Sequence, residues 1–590
     1  MSTTSTDAAR WHALLLATAA IGAGLAAYAA LALIAGAPFP PSPAYWLAAG
    51  AALALSAGLG AMGLRGRASS GSALEGRLPL AALLAAVAFL AVSTLVYYTQ
   101  FLGIPVDLVS FSESPFVDDI IKIRLGLPIY GPVTDNNTYP YTPGTQLLTY
   151  GIAKLLGHPT SIPVYRTVQF GYVLLAATVA AAACHQLARG LLREDEYRHR
   201  PVWIGIFLSV MVLLVTEPSF NPYTHTLHND GLALLVSMCG FYLIARHHAA
   251  PANWLLVPMA VLPALGFLVK QNQLLWAGVF AFYLVASGTT SWRLIAVYFG
   301  GCVLAVTAVI GGSILLWGEA FRYWIFSALG DKQVSVMRSI QHLLQAGLFA
   351  AMGLWAAAVL VLPRLDRRRA AVWGSWAMVL GIQAYTSGIG FQANHMGPSV
   401  VMAGSWFMVA LVAVWPWRKA EEPAWRAPLV QAGAVALVVL LLGGMGLVHE
   451  PGRSVPADLD RYIAEIEREF SDLPSDQVLI DVGSWVYLRE GVLMKDRSGP
   501  VSLHVGSNQP EINRAALAET IERIESRQYR RILARELDTP RTAYDFRDRG
   551  SGVKAAMLEN YRIVRRIPGV NVQHWWPRQM IADVVVLEPL

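Results

Sequence analysis

The sequence predicts a polytopic α-helical membrane protein with about 13 transmembrane helices and a C-terminal α/β domain outside the cytoplasm. Of its 590 residues, 55% are hydrophobic and only 14% are charged, which is far less charge than soluble proteins carry. Apolar runs close to the roughly 20 residues that cross a bilayer recur along the chain. Residues 450–590 hold as many charged side chains as residues 1–449. This shift predicts a transmembrane domain over 1–449 and a soluble domain over 450–590.

The apolar runs predict spans in a definite order. They lie at about 12–35, 43–64, 79–101, 164–188, 202–216, 229–245, 253–269, 272–287, 293–317, 343–363, 370–388, 398–415 and 427–448. The first run is longer than the core of a signal peptide, so we expect it to be retained. The segment Gly144–Leu156 is apolar but too short to span, which predicts a helix at the interface or a re-entrant helix.

The distribution of basic residues predicts the orientation. With the N-terminus in the cytoplasm, the inner loops hold roughly twice as many Lys and Arg residues as the outer loops. An odd number of spans then places the C-terminal domain outside, on the same face as the large polar loop at 102–163. The Ala-, Gly- and Arg-rich composition suggests a GC-rich bacterium, so we expect the inner (cytoplasmic) membrane. The excess of basic residues lies in short loops between spans, which argues against a nucleic-acid partner.

Hydrophobic periodicity predicts the elements of the C-terminal region. Helices are expected at Asp458–Phe470 and Ala515–Arg527, and strands at Val478–Val482, Arg531–Ala534 and Val584–Leu587. The three cysteines of the chain, in contrast, all fall in apolar runs of the membrane part. We therefore expect them to be small core residues rather than disulfide or zinc ligands.

Two adjacent carboxylates, Asp118 and Asp119, occupy the outer loop between two predicted spans. Carboxylates beside a bilayer are expensive to hold, so they are functional candidates, and one of them could act as a general base on a hydroxyl. Adjacent helical residues point about 100° apart, so the two should have different tasks. We prefer Asp118 as the base and Asp119 as a contact to the acceptor or to a supporting cation. The alternative is that the pair merely caps a helix that begins at Ile120.

Other polar residues converge on the same outer face if the predicted topology holds. They are Tyr139 and Tyr141, His228 and Asp230, Lys270, Arg322, and Asn394 and His395. Basic groups can neutralise a phosphate leaving group, and aromatic rings can stack on sugars. Each also has a structural alternative. The tyrosines could belong to an aromatic belt, Lys270 could reach from a span end to the interface, and the histidines could be ordinary loop residues rather than metal ligands.

The pattern resembles the membrane glycosyltransferases of superfamily C (GT-C), which include protein O-mannosyltransferases, aminoarabinose transferases and arabinofuranosyltransferases. The resemblance rests on the acidic pair, the run LGLPIYGP…YPYTPGTQLLTYGIAKLLG, Arg166 at the start of the next span, Lys270 after LPALGFLV, and the turn FQANHMGP. It implies inverting transfer from a polyprenyl-phosphate sugar outside the cytoplasm, onto a glycan, lipid or protein acceptor. It assigns the base to Asp118 or Asp119, phosphate contacts to Lys270 with Arg166 or Arg322, and sugar contacts to Tyr139, Tyr141, Asn394 and His395. We expect no obligatory metal, although the carboxylates could bind a divalent cation.

Functions of other classes remain alternatives at this point. A transporter or lipid flippase would also need many spans, and a lipid-linked oligosaccharide ligase is a further membrane enzyme to consider. A non-catalytic anchor is a third, although 13 spans are far more than anchoring requires. The C-terminal domain either assists acceptor binding or serves as a structural cap.

Overall fold

The computed structural model describes residues 77–107, 113–132, 140–197, 199–217, 219–328, 334–389, 393–415, 458–483, 510–535, 537, 550–570 and 583–590. The membrane part begins with α1 (Arg77–Leu102), α2 (Ser114–Leu125), α3 (Gly144–Leu155), α4 (Ile162–Leu191), α5 (Arg200–Val215) and α6 (Asn229–Ala249). It continues with α7 (Leu256–Val269), α8 (Trp276–Ser287), α9 (Trp292–Arg322), α10 (Val336–Gln345), α11 (Gly347–Leu360), α12 (Arg367–Ser387) and α13 (Gly397–Val414).

Helices occupy all ten predicted spans that fall within these residues. The predicted span at 343–363 is divided between α10 and α11, and the span at 272–287 opens with a 3₁₀ turn, Gln271–Leu275. Within the part of the chain that the structure describes, five helical stretches are long and apolar enough to cross a membrane, namely Ile162–Leu191, Asn229–Ala249, Trp292–Ser327, Gly347–Arg364 and Ala393–Val414. The predicted spans at 12–35, 43–64 and 427–448 lie outside the described residues, so the total of 13 stays a prediction.

Small residues bring the central helices close together. Ala176, Ala177 and Ala180 on α4 are fully buried in the main hydrophobic core, which also includes much of α5, α6 and α13. A side chain at Gly240 of α6 would meet the Trp276 ring at 2.7 Å, so only glycine permits this approach. Cys184 and Cys302 are buried and Cys239 is partly buried, and all three are free thiols, as the sequence predicts.

The C-terminal region contains α14 (Asp458–Arg468), β1 (Val478–Asp481), α15 (Pro510–Ala516), α16 (Ala518–Glu525), β2 (Arg531–Arg535), α17 (Val553–Asn560), β3 (Tyr561–Ile567) and β4 (Val584–Pro589). The strands form one sheet in the order β1-β2-β4-β3, in which β1 and β2 are parallel and the other pairs are antiparallel. The predicted strands coincide with β1, β2 and β4. The predicted helix at Ala515–Arg527 is instead two short helices, and β3 was not expected.

The C-terminal sheet packs against the helix α2. A single hydrophobic cluster combines Phe116 and Ile120 of α2 with Ile466 of α14 and with Ile480 and Val586 of the sheet. All five side chains are fully buried. One side of α2 is therefore covered by residues from the end of the chain. Where the C-terminal domain begins, and which side of the membrane it occupies, stay predictions.

A fully buried ion pair fixes the chain around α2. Arg166 on α4 donates through Nε to Glu113 Oε1 at 2.8 Å and through Nη2 to Glu113 Oε2 at 2.6 Å. Its remaining donors bind the carbonyl oxygens of Phe101, Ile104 and Val106. Glu113 Oε1 also accepts from the Leu227 backbone N–H at 2.9 Å. This single pair joins the end of α1, the start of α2 and the segment before α6.

We expect Arg166→Gln to lower stability by about 3–5 kcal/mol, because it leaves the Glu113 carboxylate buried without a counter-charge. Thermal unfolding in detergent measures the effect, with Arg200→Gln as the control, since Arg200 and Glu194 form an exposed pair. The double variant Glu113→Gln/Arg166→Gln should recover part of the loss, because no unpaired charge remains. Equal stability of the Arg166 and Arg200 variants would contradict this role.

Candidate active site

The acidic pair lies inside α2. The helix begins at Ser114 with Glu113 before it, so the alternative that Asp118 and Asp119 cap a helix beginning at Ile120 is wrong. Asp118 is 7% exposed and Asp119 is 1% exposed. Burial of two neighbouring carboxylates requires compensation by hydrogen bonds and positive charge.

Lys122 supplies that positive charge from the next turn of the same helix. Its Nζ lies 3.3 Å from Asp118 Oδ2 and 3.8 Å from Asp119 Oδ1, and the lysine itself is buried. Gln146 of α3 donates to Asp119 Oδ2 at 3.0 Å. Sequence reasoning did not select Lys122 or Gln146. The spacing of Lys122, three and four residues after the aspartates, was the available signal for an ion pair on one helical face.

The two aspartates differ in their surroundings. Removal from water raises the pKa of Asp119 to about 7, and the adjacent Asp118 adds to this, while Lys122 and Gln146 oppose it. At neutral pH a large share of Asp119 therefore carries a proton. Asp118 is the more accessible carboxyl group and has the shorter distance to the lysine.

A second cluster of charged and polar side chains is formed by residues from three segments that are distant in sequence. Asp230, at the start of α6, forms a short ion pair with Lys270 and accepts from Asn394 Nδ2 at 2.6 Å. His228 Nδ1 lies 3.4 Å from Asp230 and the ring stacks on Tyr223 with centroids 3.9 Å apart. Lys270 is buried and paired, so it does not extend from a span end into the interface.

Aromatic side chains connect the two charged groups. Phe116, two residues before Asp118, has its ring centroid 4.9 Å from His228 and 6.1 Å from Tyr141. Burial raises the pKa of the Tyr141 phenol, and the charges of Lys270 and Asp230 act on it with opposite signs. The Tyr141 carbonyl accepts from the hydroxyl of Tyr130 at 2.8 Å. The two groups are connected through this segment, because Lys122 Nζ lies 3.5 Å from the Ile129 carbonyl oxygen and Gln271, next to Lys270, donates to the Pro140 carbonyl oxygen at 3.3 Å.

Of the remaining predicted site residues, one lies beside the Asp230–Lys270 pair and two of the others lie elsewhere. His395 is next to Asn394, and its buried Nδ1 has no hydrogen-bond partner within the described part of the chain. Arg166 directs all its donors to Glu113 and backbone carbonyls, so it anchors the chain rather than offering a cation to a phosphate. Arg322 is exposed and contacts Glu319 at 3.5 Å, apart from the other site residues. Tyr139 lies outside the described residues.

Among the described residues, no three His, Cys, Asp or Glu side chains are arranged to hold a metal ion. Lysine charges compensate both carboxylate groups instead. The expectation that no metal is obligatory stays a prediction, as does the accommodation of a divalent cation.

We expect Asp119→Asn to be more stable than the wild type at neutral pH. Because the folded pKa is about 7 and the ordinary value is 3.8, the folded protein binds more protons than the unfolded chain between these values. Wild-type stability therefore falls as the pH rises from about 4 to about 7, whereas the asparagine cannot ionise. Across this pH range, the unfolding temperature of Asp119→Asn should exceed that of the wild type by a difference that grows with pH and becomes constant above about pH 7.

The exposed residue Asp195 provides a matched control for this measurement. Asp195→Asn should show no pH-dependent gap from the wild type. A gap for Asp119→Asn that stays constant or narrows with rising pH would contradict the raised pKa.

Comparison with known proteins gives a structural neighbour. No protein-family model matches the chain, and no curated protein matches it. The structure is similar to the crystal structure of ArnT from Cupriavidus metallidurans in the apo state, with a TM-score of 0.51. The match covers 85% of this chain and 97% of that one, at 12% sequence identity. At this identity the similarity shows the fold alone, which is like that of ArnT.

Proposed function

We propose that this protein is an integral-membrane glycosyltransferase that moves a sugar from a polyprenyl-phosphate donor to a cell-envelope acceptor. The observation that carries the proposal is that two carboxylate groups, the acidic pair of α2 and Asp230, are each paired with a buried lysine. The ArnT-like fold and the five candidate spans support it. The reaction takes place on the extracytoplasmic face of a bacterial inner membrane.

The chemistry assigns complementary tasks to the two halves of the site. Asp118 takes the proton from an acceptor hydroxyl as the oxygen attacks the anomeric carbon. The bond from that carbon to the phosphate oxygen breaks, and its electron pair leaves with the polyprenyl phosphate. Attack opposite the leaving group inverts the anomeric centre. Asp119 holds Lys122 beside Asp118 and contacts the acceptor.

The Asp230–Lys270 group receives the phosphate. Lys270 has three N–H donors, so it can bind a phosphate oxygen while it remains paired with Asp230. Asn394 and His228 fix Asp230, which in turn holds Lys270 in place. We assign the sugar to Tyr141, whose ring can stack on a sugar face, and to His395, which is next to the Asp230 partner Asn394.

A transfer assay tests the proposal. Purified full-length protein receives radiolabelled polyprenyl-phosphate sugars together with membrane glycan and lipid extracts. We expect label to move to an acceptor, and we expect Asp118→Asn to reduce transfer by about 100-fold or more, as loss of a general base does. Asp119→Asn should also reduce transfer, because it weakens the ion pair that holds Lys122 beside Asp118. Asp195→Asn, at an exposed ion pair, should keep wild-type activity.

Wild-type activity in both site variants would remove the acidic pair from the mechanism. Absence of transfer by folded wild-type protein from every donor would contradict the glycosyltransferase. Lipid-linked oligosaccharides and a flippase assay would then distinguish a ligase from a transporter.

A further inference from the structure

A buried polar seam runs along α3 beside the proposed site. We define the α3 seam by its hydrogen-bonding side chains on α3 and its neighbours: Thr142, Thr145, Gln146, Thr149, Gln169 and Asn229. All six are 0–1% exposed. Thr145 and Gln146 each lie three or four residues before Thr149, which places the three on one side of α3, and Thr142 lies just before the helix.

The seam is continuous with both charged groups. At one end, Gln146 donates to Asp119. Gln169 Nε2 donates to Thr149 Oγ1 at 2.9 Å, and Gln169 Oε1 lies 3.3 Å from where a Cβ on Gly231 would be. Gly231 follows directly after Asn229 and Asp230 on α6. The N-terminus of α3 also approaches the end of α7, because a Cβ on Gly144 would meet the Leu268 carbonyl oxygen at 2.5 Å.

Many polar atoms of the seam have no hydrogen-bond partner among the residues that the structure describes. They are Thr142 Oγ1, Thr145 Oγ1, Gln146 Oε1, Gln169 Oε1, and both Oδ1 and Nδ2 of Asn229. A buried polar group without a hydrogen bond costs about 1–3 kcal/mol, so six such atoms in one seam are a large penalty. Native proteins satisfy such groups with water or with a ligand.

The chemistry of the orphaned atoms identifies the ligand class. Hydroxyls and amides are neutral, and together they offer both donors and acceptors, as sugar hydroxyls require. The cations that suit a phosphate, Lys122 and Lys270, lie at the edges of this region instead. On the basis of the proposed function, we infer that the α3 seam is the subsite for the hydroxyl groups of the donor sugar. Thr142 and Thr145 are its specificity-determining residues.

Two substitutions test the inference without changing side-chain shape. In Thr142→Val and Thr145→Val a methyl group replaces an unpartnered hydroxyl. The matched control is Thr149→Val, because the Thr149 hydroxyl is already bound to Gln169. Binding is measured for polyprenyl phosphate and for polyprenyl-phosphate mannose, glucose and arabinose. The relevant quantity is the ratio of affinities with and without the sugar.

We expect the wild type to bind at least one sugar-bearing lipid more tightly than polyprenyl phosphate itself. Each of Thr142→Val and Thr145→Val should reduce that advantage by about 3- to 10-fold, as loss of one hydrogen bond does, with unchanged affinity for the bare lipid phosphate. Their unfolding temperatures should equal or exceed the wild-type value, because a costly buried hydroxyl is gone. Thr149→Val should keep the sugar advantage.

An unchanged sugar advantage in both valine variants would overturn the inference and leave the seam to bound water. So would a wild type that binds no sugar-bearing lipid better than polyprenyl phosphate. Failure of the proposed function is a separate result, since absence of transfer leaves the binding ratios measurable. If the valine variants lose the preference for sugar-bearing lipid but the wild type transfers no sugar, the α3 seam is still a sugar-binding site, in a protein with another function.

Discussion

The buried ion pair between Glu113 and Arg166 is the interaction on which the site depends. Removing both charges from water is costly, and the structure compensates with a bidentate contact and three backbone carbonyls. The same carboxylate accepts the Leu227 N–H. Glu113 directly precedes the helix of the acidic pair, and Leu227 directly precedes His228 and α6. One ion pair therefore sets the separation between the two halves of the proposed site.

Burial of polar groups changes the ionisation of the site and lowers the stability of the folded protein. Asp119 is held where ionisation is unfavourable, and its raised pKa means that the folded protein gives up stability at neutral pH to retain it. The unpartnered atoms of the α3 seam are a second cost of the same kind. The two are in contact where Gln146 donates to Asp119, and hydrophobic residues from the C-terminal sheet cover Phe116 and Ile120 of α2. Such concentrated cost is typical of functional sites.

Much of the fold could be predicted from the sequence because apolar runs and charge density are local properties. Span positions, the short helix α3 and three strands of the C-terminal sheet all follow from them. The start of α2 was harder to predict, since the break falls between the polar residues Glu113 and Ser114 rather than at the change to apolar residues. The division of α15 and α16 depends on packing that periodicity does not report.

The sequence predicted which residues come together in the candidate site better than it predicted what each residue does there. Asp230, Lys270, His228 and Asn394 do meet, although more than 100 residues separate Asn394 from the others. Arg166 was expected at a phosphate, but the partners that occupy its guanidinium are visible only in three dimensions. Arg322 lies after a break in α9 at Gly318, where φ is 70°, and this exposed position is beyond the predicted span. Lys122 could have been found from its spacing to the aspartates.

A cryo-electron microscopy structure of the full-length protein with bound polyprenyl phosphate tests the central claim most directly. The claim is that the acidic pair of α2 and the Asp230–Lys270 group border one donor site. We predict phosphate density in contact with the Lys270 amine and next to the acidic pair of α2. Phosphate bound away from both carboxylate groups, with none near Lys270, would contradict it.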